Sequence, residues 1–199
     1  MTFLLLIRYP FKYLAMRTRL HDRKVSDAAV HTPDPWRICV PAWAHSGMQG
    51  YRATMEDAVV AAPLHPSGAA HAFALFDGHG GDFAARWAAR ETPRRLRTLV
   101  EALGGPEAAD AASLPLAKLL LTMDADLRAH ACAWGCGTTA VVLIVTASAL
   151  TVANLGDSRA VLCRSGSAVA MSSDHKPTDA AERARIVRAG GFVVDARVN

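Results

Sequence analysis

The stretch FALFDGHGG, residues 73–81, constrains the chain more than any other part of its sequence. An apolar run from His71 to Phe76 has the composition of a β-strand, and it ends directly in an Asp, a His and three glycines. Glycines permit backbone dihedrals that other residues avoid, so the chain can turn tightly as soon as the strand ends. The pattern predicts that Asp77 is held at a strand end, on a loop that can carry function.

A second acidic pair, Glu56 and Asp57, lies at the start of another predicted strand, and Arg52 lies four positions before Glu56. Side chains alternate between the two faces of an extended backbone, so the two acids are expected to point in opposite directions and to have different roles. One could bind a metal ion while the other holds a water molecule. Oxygen ligands of this kind, with the Gly78 carbonyl as a further candidate, suit Mg²⁺ or Mn²⁺.

Arg52 and His79 are the candidate groups for handling a phosphate. The planar guanidinium group of Arg52 could grip phosphoryl oxygens, and His79 could donate a proton to a leaving group. The structural alternative is a solvated ion pair between Arg52 and Glu56, beside a glycine-rich turn whose His79 merely faces water. Each residue taken singly favours that alternative, because surface ion pairs are common and mostly inert. The two acidic clusters and the turn taken together favour a functional site.

The net charge of +4 belongs to the N-terminal segment. Residues 1–38 hold seven of the 22 basic and three of the 18 acidic residues, which leaves 15 of each from Cys39 onward. The body is therefore neutral and lacks the basic signature of a nucleic-acid-binding protein. We expect residues 1–37 to be a basic extension, either disordered or a targeting segment for mitochondria or another organelle, and residues 38–199 to form one domain.

The four cysteines are too few for a disulfide scaffold in a chain of 199 residues, which favours a reducing compartment, the cytoplasm in the first instance. Cys132 and Cys136 could be half of a zinc site, but no second Cys or His pair stands at a matching spacing. Burial as small apolar side chains is the favoured prediction for them.

Short β-rich runs with helical stretches inserted between them predict an α+β fold. Strands are predicted over 57–62, 71–76, 140–146, 150–154, 159–164 and 167–171. Helices are predicted over 82–90, 113–131 and 178–189, with Pro93 stopping the first helix or starting a new one. The short links between the last four strands indicate antiparallel hairpins.

Five segments in a fixed order resemble the motifs of metal-dependent serine/threonine protein phosphatases of the 2C type, the PPM family. They are Gly50–Ala58, Phe73–Gly81, Gly137–Ala140, Val152–Ala160 and Asp174–Pro177. This resemblance, which covers residues 50–192, implies a sandwich of two antiparallel sheets flanked by helices, with a centre of two Mn²⁺ or Mg²⁺ ions in a cleft at one end. The implied reaction is hydrolysis of phosphoserine and phosphothreonine in proteins.

The resemblance also implies which residues would surround the metal ions. Glu56, Asp77 and the Gly78 carbonyl would bind metal, with Asp77 bridging the two ions. Asp57 would help to order a water molecule, and Asp157 matches the position associated with a third, weaker metal. Arg52 would hold the substrate phosphate and His79 would act as general acid on the Ser or Thr oxygen. No cysteine would be needed as a nucleophile.

Two further aspartates of the family pattern, in DG and DN contexts, have no counterpart among residues 163–199. We therefore expect the chain to represent the N-terminal portion of a catalytic domain, active when completed and poorly active alone. The alternative is a catalytically inactive pseudophosphatase that binds a phosphoprotein or a regulator. The expected state is a monomer whose partners are phosphoproteins and not nucleic acids. The turn also lacks the Lys of a P-loop and the spacing of a dinucleotide-binding motif.

Overall fold

Antiparallel β-sheets form the framework of the chain. The computed structural model describes residues 2–9, 12–17, 25–31, 42–105, 114–146 and 149–198. The longer strands are β1 (Thr2–Tyr9), β2 (Lys12–Arg17), β3 (Val25–His31), β4 (Ala42–Met48), β5 (Ala58–Pro63), β6 (Ala70–Phe76), β9 (Ala140–Thr146), β10 (Leu150–Leu155), β11 (Arg159–Arg164) and β12 (Ser167–Ala170). The two-residue strands are β7 (Gly78–His79), β8 (Gly137–Thr138), β13 (Val193–Val194) and β14 (Arg197–Val198).

The four-stranded sheet has the order β10-β9-β6-β5, and its two central strands are buried along their whole length. Their sequences, AHAFALF and AVVLIVT, are continuously apolar and do not alternate with polar residues. Strands with this composition are expected where both faces of a sheet are covered. This sheet is therefore the middle layer of the domain.

Two separate cores cover the two faces of this sheet. Between the sheets, Phe73 and Leu143 pack with Leu162 of β11, and Trp43 of β4 meets the Phe73 ring edge-on at 6.2 Å between centroids. On the other face, Phe76 and neighbouring residues pack against helices α1 (Phe83–Ala102) and α2 (Leu116–Arg128). The predicted α+β sandwich of two antiparallel sheets is confirmed.

The second sheet has six strands in the order β12-β11-β2-β1-β4-β3, and it includes three strands from the N-terminal segment. Strand β1 pairs with β4, and β2 pairs with β11. The expectation of a disordered extension over residues 1–37 is wrong for these three strands. The apolar run Phe3–Ile7, too short to cross a bilayer, is long enough for a strand. The boundary near Ile38 and the targeting role stay predictions, and residues 32–41 lie outside the described residues.

Helix α1 corrects a prediction, because it continues through Pro93 to Ala102 as one helix. Buried residues lie on both sides of the proline, with Trp87 and Ala88 before it and Leu96 and Val100 after it. Their packing outweighs the hydrogen bond that a proline removes from a helix interior. None of the helices among the described residues combines the length and apolarity that a bilayer crossing requires.

The other two helices lie inside their predicted ranges. Helix α2 occupies Leu116–Arg128 within the predicted 113–131, and its predicted N-cap, Ser113, lies outside the described residues. Helix α3 occupies Ala180–Arg188, and Ile186 is its one buried residue. The predicted helices extend two or three residues beyond the observed helices at most of their ends, as is usual where helix ends fray.

Leu143 and Leu121 offer a matched test of the layer arrangement. Leu143 is fully buried in β9, whereas Leu121 on α2 is 72% exposed. We expect Leu143→Ala to lower the free energy of unfolding by about 2–5 kcal/mol because it leaves a cavity between the sheets. Leu121→Ala should change it by less than about 0.5 kcal/mol. Urea denaturation followed by circular dichroism measures both, and similar losses from the two variants would contradict the central position of β9.

Candidate metal and phosphate site

The site is built where β6 ends. Asp77 follows Phe76 directly, and the next two residues, Gly78 and His79, form β7, which pairs with Gly137 and Thr138 of β8. This two-residue ladder pins the turn beside the start of β9. Gly80 then takes a positive φ of 71°, a conformation that favours glycine, and its Cα approaches the backbone of Gly135 so closely that a side chain would not fit.

Three carboxyl groups converge at this strand end. The Asp57 side chain and the negative charge of Asp157 both act on the Asp77 carboxyl. Burial raises the pKa of the Asp77 carboxyl above its ordinary value, and repulsion from Asp157 raises it further. The imidazole of His79 and the contact with Asp57 oppose this rise. Neighbouring carboxylates repel each other when both are ionised, so the ionised cluster is favoured by a nearby cation.

Glu56 contacts the same turn from its other side. Its Oε1 accepts hydrogen bonds from the Gly81 backbone N–H at 3.1 Å and from the Thr54 hydroxyl at 3.2 Å. Its backbone carbonyl lies directly against the Cα of Gly78. Neighbouring residues Glu56 and Asp57 therefore reach different parts of one turn, as the alternation of side chains predicts. The alternative of an Arg52–Glu56 ion pair is wrong.

Arg52 and His79 both face solvent at this end of the sandwich. None of the ion pairs formed among the described residues includes Arg52. The His79 ring lies over the backbone of Gly137, and a cavity of about 870 Å³ opens beside it. Apolar side chains such as Trp87, Met123 and Trp134 line much of that cavity. The imidazole of His79 is thus available next to an apolar opening.

The loop that carries Asp157 is fixed by the segment around residue 174. Arg159 donates two hydrogen bonds to the Asp174 carboxylate, at 2.9 and 2.8 Å, and these bonds lower the pKa of Asp174. The Gly156 carbonyl accepts hydrogen bonds from the His175 backbone N–H at 2.9 Å and from the Asn154 amide at 3.2 Å. The motif segment Asp174–Pro177 therefore holds the motif segment Val152–Ala160 in place.

Thr139 and Ser158 are site residues that the sequence analysis missed. The Thr139 hydroxyl accepts a hydrogen bond from the Asp77 backbone N–H at 3.2 Å and lies 2.6 Å from the Ser158 hydroxyl. Both residues stand inside quoted motif segments, next to small or acidic residues, but neither has a side chain that suggests metal or phosphate chemistry. Spacing alone does not show that residues 77 and 139 meet.

The donor atoms at this end fit a hard divalent cation. Carboxylate oxygens of Asp57, Asp77 and Asp157, with the Gly78 carbonyl beside them, are the ligands that Mg²⁺ and Mn²⁺ prefer. The crowding of like charges at a partly desolvated strand end is the observation that favours a cation here. Within the described part of the chain, no group of three His, Cys, Asp or Glu side chains is arranged as a ready ligand set. A bound ion would therefore need water molecules among its ligands, which Mg²⁺ tolerates well.

Three cysteines, Cys132, Cys136 and Cys163, lie in the described part of the chain. Cys132 is exposed, so the prediction that it is buried as a small apolar residue is wrong, and Cys163 is exposed as well. Cys136 is partly buried, and its Sγ contacts the Cys132 carbonyl at 3.4 Å. The 3-10 turn Ala131–Ala133 presents Cys132 to solvent, which apolar composition alone does not reveal.

Comparison with known proteins identifies the family of the chain and agrees with its fold. The family model described as protein phosphatase 2C matches residues 43–199. A probable protein phosphatase 1N from Mus musculus is 44% identical over 160 residues, and protein phosphatase 2C homolog 3 from Schizosaccharomyces pombe is 40% identical over 160 residues. Each alignment covers 77% of this chain. The chain belongs to the protein phosphatase 2C family.

The relatives are longer than this chain. The alignments cover 38% of the mouse protein, 37% of the fission yeast protein and 56% of probable protein phosphatase 2C 6 from Paramecium tetraurelia, which is 39% identical. The chain thus spans between about a third and somewhat over half of the relatives it matches.

Solved structures give the same fold. A phosphatase from a pathogenic strain of Toxoplasma gondii superposes with a TM-score of 0.55 at 21% identity, over 98% of this chain and 63% of that one. A Caenorhabditis elegans sex determining protein superposes with a TM-score of 0.56 at 25% identity, over 74% of this chain and 38% of that one. The sandwich is therefore the fold expected for these relatives.

Two glycines of the β7–β8 ladder allow a sharp test of the turn. A Cβ at Gly78 would meet the Glu56 backbone, whereas a Cβ at Gly137 would meet only the His79 ring, at 2.6 Å from Nε2. We expect Gly78→Ala to lower the free energy of unfolding by about 1–3 kcal/mol, because backbone has to move.

Gly137→Ala is the matched control, since a ring at the end of a side chain can swing away with a smaller loss of stability. Urea denaturation measures the stability of both variants, and the pH titration of the His79 ring protons by NMR reports the displaced imidazole. Equal stability losses would show that the close contact between Gly78 and Glu56 does not exist.

Proposed function

We propose that this chain provides the phosphate- and metal-binding part of a protein serine/threonine phosphatase that depends on Mn²⁺ or Mg²⁺. The observation that carries the proposal is the convergence of Asp57, Asp77 and Asp157 at one strand end, beside an exposed His79. Membership of the protein phosphatase 2C family supports it.

Residues at the end of β6 would hold the metal. Glu56, Asp77 and the Gly78 carbonyl would bind the ions, and Asp157 would bind a further ion. When bound, Mn²⁺ or Mg²⁺ lowers the pKa of a water molecule and offsets the charge on phosphoryl oxygens. Asp57 would accept a hydrogen bond from the attacking water and fix its direction.

The exposed residues would act on the substrate itself. Arg52 would bind the phosphoryl oxygens through its planar guanidinium group, which makes two parallel hydrogen bonds. His79, held on the ladder with Gly137, would donate a proton to the Ser or Thr oxygen as the phosphorus–oxygen bond breaks. In this mechanism water is the nucleophile, and no covalent bond to the protein forms.

The cavity beside His79 supports a protein substrate. Its apolar lining, including Trp87 and Trp134, suits a peptide side chain next to the phosphorylated residue better than a small polar phosphate ester. We therefore propose phosphoserine and phosphothreonine proteins as partners of a monomeric chain that does not bind nucleic acid. We place it in the cytoplasm, with an organelle as the alternative address.

Replacement of Asp77 tests the proposed reaction. Because this chain spans only part of its relatives, the assay uses the chain itself and a chimera in which residues 43–198 replace the matching segment of the fission yeast relative. We expect Mn²⁺-dependent release of phosphate from a phosphothreonine peptide by the chimera and little by the chain alone.

In the chimera, Asp77→Asn should lower kcat/KM at least about 100-fold, because even residues that only support metal ligands change activity by 10–100-fold. Glu101→Gln is the control, since Glu101 is an exposed residue at the end of α1 and does not line the cavity beside His79. Activity that survives Asp77→Asn would reject the proposal. A chimera that binds the phosphopeptide without hydrolysing it would support an inactive binding module in its place.

A further inference from the structure

Thr139 holds the main chain of Asp77 at two points. Its backbone N–H donates to the Asp77 carbonyl at 2.9 Å, and its hydroxyl accepts from the Asp77 N–H at 3.2 Å. The two residues are 62 positions apart in the chain. The peptide groups on both sides of the Asp77 Cα are therefore tied to the residue between β8 and β9.

The Thr139 hydroxyl also reaches the loop that carries Asp157. It lies 2.6 Å from the hydroxyl of Ser158, a residue only 1% exposed. A hydroxyl group has one proton to donate and can accept two, so Thr139 can receive the Asp77 N–H while it bonds to Ser158 in either direction. An unbroken hydrogen-bonded path thus runs from the backbone of Asp77 to the residue beside Asp157.

Packing fixes the same two segments together. Gly156 has a φ of 92°, and a Cβ there would lie 2.7 Å from the methyl carbon of Thr139. The bonds from His175 and Asn154 to the Gly156 carbonyl hold this loop from its other side. The loop is therefore fixed against Thr139 in a position that it cannot leave without losing several contacts.

We propose that Thr139 and Ser158 are positioning residues, which set the distance between the Asp77 and Asp157 carboxylates before a divalent cation binds. The inference rests on the proposed function. Two carboxylates at a partly desolvated site repel each other, and the strand ends that carry them would separate unless something links them. The two hydroxyl groups form that link without adding charge or occupying a ligand position.

Thr139→Val tests the hydroxyl group alone, because valine lacks it but keeps the shape of the side chain and its packing against Gly156. Thr139→Ser makes the opposite change, since it keeps the hydroxyl and loses the methyl group. Ser158→Ala removes the second hydroxyl. The matched controls are Thr122→Val, at an exposed helical residue whose hydroxyl bonds to the Lys118 carbonyl, and Ser167→Ala, at an exposed residue of β12.

The measurement is Mn²⁺ binding to the 199-residue chain, followed by the electron paramagnetic resonance signal of free Mn²⁺. We expect Thr139→Val and Ser158→Ala to raise the Mn²⁺ dissociation constant about 10-fold, as is typical when partners of metal ligands are lost. Thr139→Ser should stay within about 3-fold of the wild-type chain, and both controls should match it. Thermal unfolding without metal shows whether each variant is folded.

The outcomes separate this inference from the proposed function. Wild-type affinity in Thr139→Val, or an equal loss in Thr139→Ser, would overturn the inference alone, because the hydroxyl would then have no special role. If Thr139→Val has no cooperative unfolding transition, Ser158→Ala decides, since it introduces no new group. If the wild-type chain takes up no Mn²⁺, the same variants are measured in the chimera that carries residues 43–198, and a wild-type chimera that takes up none would reject the proposed function and this inference with it.

Discussion

The position of the Asp77 carboxylate is the constraint on which the site depends. Strand β6 delivers it, and all seven residues of that strand are buried between two cores. The main chain at Asp77 therefore cannot shift without opening the sandwich. Burial and the charge of Asp157 raise the pKa of this carboxyl, so the ionised form of Asp77 is less favourable here than in water. In the proposed function a divalent cation removes that cost, which couples metal binding to local order.

Three loops from different strand ends meet around this carboxylate. One precedes β5 and carries Glu56, one follows β6, and one follows β10 and carries Asp157. The bond from Gly81 to Glu56 ties the first loop to the second, and the Thr139 hydroxyl links Asp77 of the second loop to Ser158 beside the third. The acidic residues thus come from remote parts of the chain, and hydrogen bonds from uncharged groups, such as the Gly81 N–H and the Thr139 hydroxyl, hold their loops in place.

The sequence predicts local structure and the types of chemical group better than it predicts long-range contacts. Strands β9 and β11 have their predicted bounds, because apolar β-branched runs closed by polar turns fit a strand. Pro93 misleads, since the packing of buried residues on both sides of it keeps α1 continuous. The acidic candidates were identifiable from their places at strand ends. The bond between Thr139 and Asp77 was not, because no periodic pattern links residues so distant in sequence.

The short ladder between β7 and β8 gives the two sides of the site unequal stiffness. Asp77 is anchored by a long, enclosed strand, whereas His79 rests on only two paired residues and faces solvent. Segments with few buried contacts open at a low free-energy cost. In the proposed function, the imidazole would thus follow substrates of different backbone shape while the carboxylates keep their spacing. The proposed site would therefore combine a rigid part, which carries Asp77, with a flexible part, which carries His79.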